Sequence, residues 1–412
     1  MTMTFDDISA DWAWAAYEPT PEHPWDRQQA AHLFRRAGFA VPIRELDEAV
    51  RQSPQVLVRN LCQQRSETPA QQREYAALAA STLATGQPRQ LAAWWLHRLI
   101  NTPDVTRERT TLFWHGHFAT SAEKVTTAQL MFEQNELLRS HALGNFHQLA
   151  QAISRDPAML IYLDSASNRK AHPNENFARE LMELFCLGEG NYTEQDIREL
   201  ARCFTGWEVR RDEFRFNPYQ HDSGLKSFLG TGDVEGGEQG VDVVVSQAAC
   251  PEFLCRKLVT FFLFDEPVPS PELLAPLAEE LRANDLEIGP TVQRILGSNL
   301  CFSRLSRGRK VRSPVDLAVG LLRGLDGSTN VFDLSNGLRG LGQELFYPPN
   351  VKGWDGGRTW INSATLLGRA NFVRQVVNHK ATRFDRQPLE EYCAQQGWTN
   401  GSQFVEGIVD TL

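Results

Sequence analysis

The chain has 412 residues, 42% of them hydrophobic and 23% charged, with ten Trp and 23 Phe. That composition suits a folded globular protein with a sizeable core and large aromatic anchors. The net charge of −9 argues against a nucleic-acid partner, which would need a basic face to neutralise phosphates.

Residues 1–25 carry Trp12, Trp14, Tyr17 and Trp25 among prolines and acids. They read as an extended N-terminal arm laid on the body. This stretch lacks a basic start followed by an apolar run, so it does not read as a secretory leader. The longest apolar run, Leu258 to Phe264, is too short to span a bilayer. The expectation is a cytoplasmic, soluble protein without a membrane span. The cysteines Cys62, Cys186, Cys203, Cys250, Cys255, Cys301 and Cys393 have no paired spacing and read as reduced, mostly buried thiols.

Asp26 is placed to cap a helix ending at Gly38. Further helices are expected from Pro42, across Val56 to Cys62, over Gln71 to Leu83, over Gln90 to Thr102 and from Asp104 to about Trp114. Thr120 and Ser121 with Glu123 have the spacing of a capping box. Helices then follow at Thr127–Leu138, Asn145–Ser154 and Ala158–Leu163. A long one runs from Asn174, an N-cap candidate, to Gly188, a C-cap candidate. Thr193 opens the next, with Glu194 and Asp196 suiting its dipole.

After Trp207 the pattern alternates, and residues 208–216 read as a short hairpin. Asn217 to Gly240 reads as a long loop. Helices resume at Val241–Ala249, Pro251–Phe264, Pro271–Asn284, Gly289–Gly297 and Ser313–Gly324, the last with Ser at the cap and Pro at the first turn. Leu338–Leu345 is a short helix, residues 347–360 form a second irregular loop, and Ser363–Lys380 and Gln403–Thr411 are helical. The fold class is mainly α, a multi-helix globular domain with long loops and at most a minor β-hairpin. The division expected is an arm at 1–25, one helical domain at 26–380 with two lobes meeting near 208–240, and a C-terminal helical segment at 381–412.

Four stretches carry candidate chemistry. On a helix turning about 100° per residue, Glu175, Arg179 and Glu183 share one stripe. They read first as a solvated face of i,i+4 ion pairs, and in second place as carboxylates for acid/base work or metal binding, with Arg179 tuning them. His115-Gly116-His117 chelates one metal if extended and diverges by about 200° if helical. Gly116 favours the first reading; two aromatic-packed histidines is the plainer one. His221 and Asp222 could complete a metal sphere and Lys226 could hold an anionic substrate, against a simple Asp-Ser-Gly turn. The loop 347–360 offers Trp354, Asp355, Arg358 and Trp360, either as a carbohydrate, peptide or partner surface or as an Ω-loop anchored by its tryptophans. A fifth stretch, Arg304, Arg307, Arg309, Lys310 and Arg312, reads as a solvated basic loop.

Seven segments together resemble the bacterial family called domain of unknown function 1800. They are Ala31-His-Leu-Phe-Arg-Arg-Ala-Gly-Phe39, Phe113-Trp-His-Gly-His-Phe118, Asn174-Glu-Asn-Phe-Ala-Arg-Glu-Leu-Met-Glu-Leu-Phe185, Tyr192-Thr-Glu194, Thr205-Gly-Trp207, His221-Asp-Ser-Gly-Leu-Lys226 and Pro348-Pro-Asn-Val-Lys-Gly-Trp354. The resemblance implies a helical fold and a shared motif set, without a reaction. Many members look exported, which this N-terminus does not match. Members are often encoded beside sulfatase- or alkaline-phosphatase-like proteins, so the resemblance implies such a protein as a partner.

Two functions follow as expectations. One is a metal-dependent hydrolase or oxidoreductase. His115, His117, Glu175, Glu183 and His221 would hold zinc, iron or manganese, with Glu175, Glu183, Arg179, Asp222 and Lys226 as its chemical groups. The other is a non-catalytic helical module that binds a partner through the Trp-rich loop.

Overall fold

The structure, a computed structural model, describes residues 4–411. Among them are 22 α-helices and three two-stranded antiparallel sheets, which is the mainly α class with minor hairpins. The arm is not wholly extended: Ala10–Trp14 is a short helix capped by Ser9. It does pack its aromatics inward. Trp14 is buried and its Nε1 donates to the Leu273 carbonyl at 2.6 Å, while Tyr17 stacks on Phe302 at 4.4 Å.

Local signals place most helices. Asp26 accepts from Gln29 N–H and starts Arg27–Ala37; Thr193 and Asp196 form a capping box on Glu194–Cys203; Ser313 and Asp316 do the same on Pro314–Gly324. Three expectations are corrected. The Thr120–Glu123 spacing starts no helix, because residues 122–124 form a turn and the helix begins at Ala128. The stretch from Asn174 divides into an α-helical Asn176–Glu180 and a π-helical Leu181–Cys186. The loop 217–240 contains the hairpin Lys226–Phe228/Thr231–Val234 and the start of a helix, Gly237–Val245. The hairpin Trp207–Arg210/Glu213–Phe216 is present, with Trp207 opposite Phe216.

Buried side chains fall into two clusters. One joins residues from Trp14 to Leu305, including Phe146, Phe177, Phe204 and Phe262, and it contains residues on both sides of 208–240. The other joins Trp94, Trp95 and Leu96 to Leu321, Leu322, Phe372, Phe384 and Tyr392. The helix Val105–His117 lies between them, giving Phe113 and Trp114 to the first and Leu112 to the second.

That central helix is fixed by a buried ion network. Glu108 accepts from Trp95 Nε1 at 2.9 Å, Arg98 Nε at 3.0 Å and Arg139 Nε at 2.5 Å. Burial pushes the Glu108 carboxyl up, but Arg139 and Arg98 outweigh it and hold it below its ordinary range. The helix is thereby tied to Pro88–Asn101 and Ala128–Ser140, which sets the orientation of Arg109 one residue further on.

Candidate functional site: a buried basic cavity

The residues expected to form a metal centre are not brought together. The helix stays regular through Gly116 to His117, so the two imidazoles diverge. His115 Nε2 accepts from the Phe346 N–H at 3.0 Å, and its ring packs on Trp95 and Phe346. Burial lowers its pKa to about 3 and keeps it neutral. His117 turns the other way, and its Nε2 lies 3.0 Å from the Phe185 carbonyl. Packing requires the glycine at 353 rather than the one at 116, where a side chain would meet nothing within 4 Å. A side chain on Gly353 would meet the Gly116 carbonyl oxygen at 2.3 Å, and Gly353 holds φ +78°.

His221 is also engaged at both ring nitrogens, with Nδ1 2.7 Å from the Thr205 carbonyl and Nε2 3.0 Å from that of Glu235. Lys226 is buried and donates to the carbonyls of Asp222 (2.5 Å) and Glu235 (2.6 Å). Asp222 pairs with Arg202 at 2.8 Å, which is the first cause holding its carboxyl low. His221-Asp-Ser-Gly-Leu-Lys226 is therefore a clamp between the two hairpins. On the helical stripe, Arg179 bridges Glu175 (3.2 Å) and Glu194 (2.7 Å) at the surface, and Glu183 accepts from the Tyr192 hydroxyl at 2.7 Å. Among the described residues, no three His, Cys, Asp or Glu side chains are placed to hold a metal ion.

The charge that does converge comes from elsewhere. Arg35 and Arg36 lie on the last turn of Arg27–Ala37, Arg109 on the central helix, and Lys310 and Arg312 on the segment leading into Pro314–Gly324. With His32, Phe39, Gly308 and Asp316 they line a cavity of about 270 Å³. The reading of 304–312 as a solvated loop holds for Arg304, Arg307 and Arg309, which are exposed, and fails for the other two: the Lys310 side chain is 10% exposed and Arg312 is half-buried.

Two of the five cations are neutralised one to one. Arg109 pairs with Asp316, and Lys310 pairs with Asp265 at 2.8 Å. Arg35, Arg36 and Arg312 have no carboxylate at ion-pair distance among the described residues. Arg36 donates through Nη2 to the Ser306 carbonyl at 2.9 Å, but its Nε and that of Arg109 are buried without a partner. Burial first, then Arg312 and Arg36 beside it, lowers Arg35 to about 10; burial lowers Arg36 to about 10 as well. Both remain cationic near neutral pH.

Lys310 and Asp316 also line a second, outer cavity of about 360 Å³. Its wall includes Phe113, His117, Lys257, Phe261, Trp354 and Trp360. Phe261 lies 4.9 Å from the Arg109 guanidinium and 5.9 Å from Lys310 Nζ, so one ring supports both cations at the boundary. Trp354 is half-buried and Trp360 buried, so the tryptophans of the 347–360 loop face this cavity. A wider depression of about 810 Å³, lined by residues of Val331–Gly340 and Ser363–Val377, holds a His379–Asp333 pair (3.2 Å) and no comparable buried charge.

Sequence reasoning passed over these five cations because each was weighed with its neighbours in the chain. The signal was Arg35-Arg36 inside a helix whose other residues are almost all buried, His32, Leu33 and Phe34 among them. The fold and the cavity thus define a mainly α protein with a partly buried basic pocket. The chain belongs to the family described as protein of unknown function (DUF1800), whose model matches residues 32–411. No curated protein and no solved structure matches it. Among the described residues, no helix is long and apolar enough to cross a membrane.

Proposed function

We propose that this protein binds a small oxyanion, the phosphate, sulfate or carboxylate group of a soluble ligand, in the cavity of Arg35, Arg36, Arg109, Lys310 and Arg312. The observation that carries the reading is three guanidinium groups clustered without carboxylate partners. A buried charge lacking a counter-ion costs several kcal/mol. A chain with 51 acidic and 42 basic residues has carboxylates to spare for neutralising such a cluster. An arrangement that leaves it positive is explained by a ligand that brings the missing charge. Guanidinium supplies planar, paired N–H donors that match the oxygens of such groups.

Thermal unfolding tests this. An anion that binds the folded state alone stabilises it in proportion to ln(1 + [L]/Kd). Phosphate or sulfate is expected to raise Tm in a saturable way at constant ionic strength, and Arg36→Gln to remove most of the rise. An equal rise in the Arg36→Gln variant would refute the site.

A further inference from the structure

The outer cavity contains a second chemical arrangement, distinct from the basic pocket. Four cations line it. Arg256 pairs with Glu252 at 2.6 Å, Lys310 pairs with Asp265, and Lys352 is exposed. Lys257 fits none of these descriptions. Its Nζ lies over the Phe253 ring at 5.2 Å and makes one long contact, 3.4 Å, to the Leu184 carbonyl. No carboxylate is at ion-pair distance from it among the described residues.

His117 stands against the same Phe253 ring, at 6.2 Å between centroids. Its Nε2 carries the proton donated to the Phe185 carbonyl, which leaves Nδ1 with a free lone pair. That atom is buried and has no partner, in a residue 4% exposed. Leu112, Phe113, Phe261, Trp354 and Trp360 supply apolar and aromatic wall.

We propose that Lys257 is a nucleophilic amine, with His117 as its proton acceptor, that captures an aromatic aldehyde or ketone in the outer cavity as an imine. Burial favours the neutral form of each group. It brings Lys257 down to about 8, so part of the amine is neutral near pH 7.5, and it keeps His117 unprotonated. A lysine desolvated in an apolar pocket is the usual route to an amine nucleophile.

In the step, the Lys257 lone pair forms the N–C bond and the carbonyl π pair moves to oxygen. His117 Nδ1 takes a proton from the nitrogen and returns it to that oxygen. The carbinolamine nitrogen pair then closes C=N as the hydroxyl departs, His117 Nδ1 takes the remaining N–H proton and passes it to that hydroxyl, which leaves as water, and the protein returns to its starting protonation. One amine and one carbonyl give one imine and one water, so no oxidant or reductant is required.

Trapping tests the proposal on the full chain. The protein is incubated with benzaldehyde and sodium cyanoborohydride, and the adducts are mapped by peptide mass spectrometry. The expected result is labelling of Lys257 at least tenfold faster than of any other lysine. His117→Phe is expected to slow Lys257 labelling about tenfold while leaving the other lysines unchanged. Uniform labelling, or preference for Lys310 or Lys352, would overturn the proposal. The wild-type map decides the role of Lys257 even if a variant fails to fold, and unchanged Lys257 labelling in the His117→Phe protein would overturn the role given to His117. Oxyanion binding is read separately by Tm, so either reading can fail alone.

Discussion

Arg312 shows how the site differs from a structural ion pair. Its guanidinium makes no hydrogen bond or ion pair among the described residues, and burial lowers its pKa despite the help of Asp316. Removing such a charge relieves desolvation and breaks no bond. Arg312→Met is therefore expected to leave the ligand-free protein as stable as wild type or more stable, by ~1 kcal/mol. The same change should weaken oxyanion binding at least tenfold. Urea unfolding and a binding titration on one preparation check both. A loss of stability together with unchanged binding would make Arg312 a structural residue. At this scale the sequence was a poor guide. It correctly exposed the choice at Glu175, Arg179 and Glu183, where Arg179 forms surface ion pairs with Glu175 and Glu194 and Glu183 bonds to the Tyr192 hydroxyl instead. It could not expose Arg35 meeting Arg312, because the two are far apart in the chain and nothing local at either position reports the other.

At the level of elements, what was legible followed from short-range chemistry. Asp26, Thr193 and Ser313 cap where their side chains can reach the N–H groups of the first turn, and such signals are complete within four residues. The same spacing at Thr120–Glu123 produced a turn instead, since residues 119–122 are drawn into the interior and Ala122 N–H donates to the Phe346 carbonyl. Tertiary packing outweighed a local cap. Gly116 was read as a helix breaker beside two histidines. The helix runs through it all the same, and a side chain there would meet nothing within 4 Å; the glycine that packing requires is Gly353, over 200 residues away, whose backbone touches the Gly116 carbonyl. Gly353→Ala must fit a methyl group 2.3 Å from the Gly116 carbonyl oxygen at φ +78°. That change is expected to cost about 2–4 kcal/mol, from steric strain added to the left-handed backbone. It should appear as a lower urea midpoint with an unchanged m-value. A midpoint within error of wild type would show that the 347–360 loop is free to shift.

For the molecule as a whole, buried titratable groups set the response to acid. His32, His115 and His117 are all neutral in the fold, with pKa values lowered by burial first and, for His32 and His117, by nearby Arg36 and Lys257. The unfolded chain binds protons at these residues near pH 6.5 and the folded one does not. Stability from this source is therefore full above about pH 6.5 and falls as pH drops towards the folded values. Equilibrium unfolding measured between pH 7.5 and 4.5 should show the urea midpoint falling steeply below about pH 6.5. A flat profile would contradict the burial of these rings. The mainly α class was readable from the periodicity of the chain. The two cores with the basic cavity at their boundary were not, since that boundary arises when the helix Val105–His117 is laid between segments from both ends of the chain.

Isothermal titration with sodium phosphate and with sodium sulfate tests directly whether this boundary cavity recognises an oxyanion. Saturable 1:1 binding of at least one of the two is expected, weakening at higher ionic strength as charge-driven recognition does. A loss of at least tenfold is expected in Arg36→Gln and no change in Lys352→Gln, whose side chain lies at the exposed edge of the neighbouring cavity. Absence of saturable heat with either anion, or equal binding by the Arg36→Gln protein, would contradict that recognition.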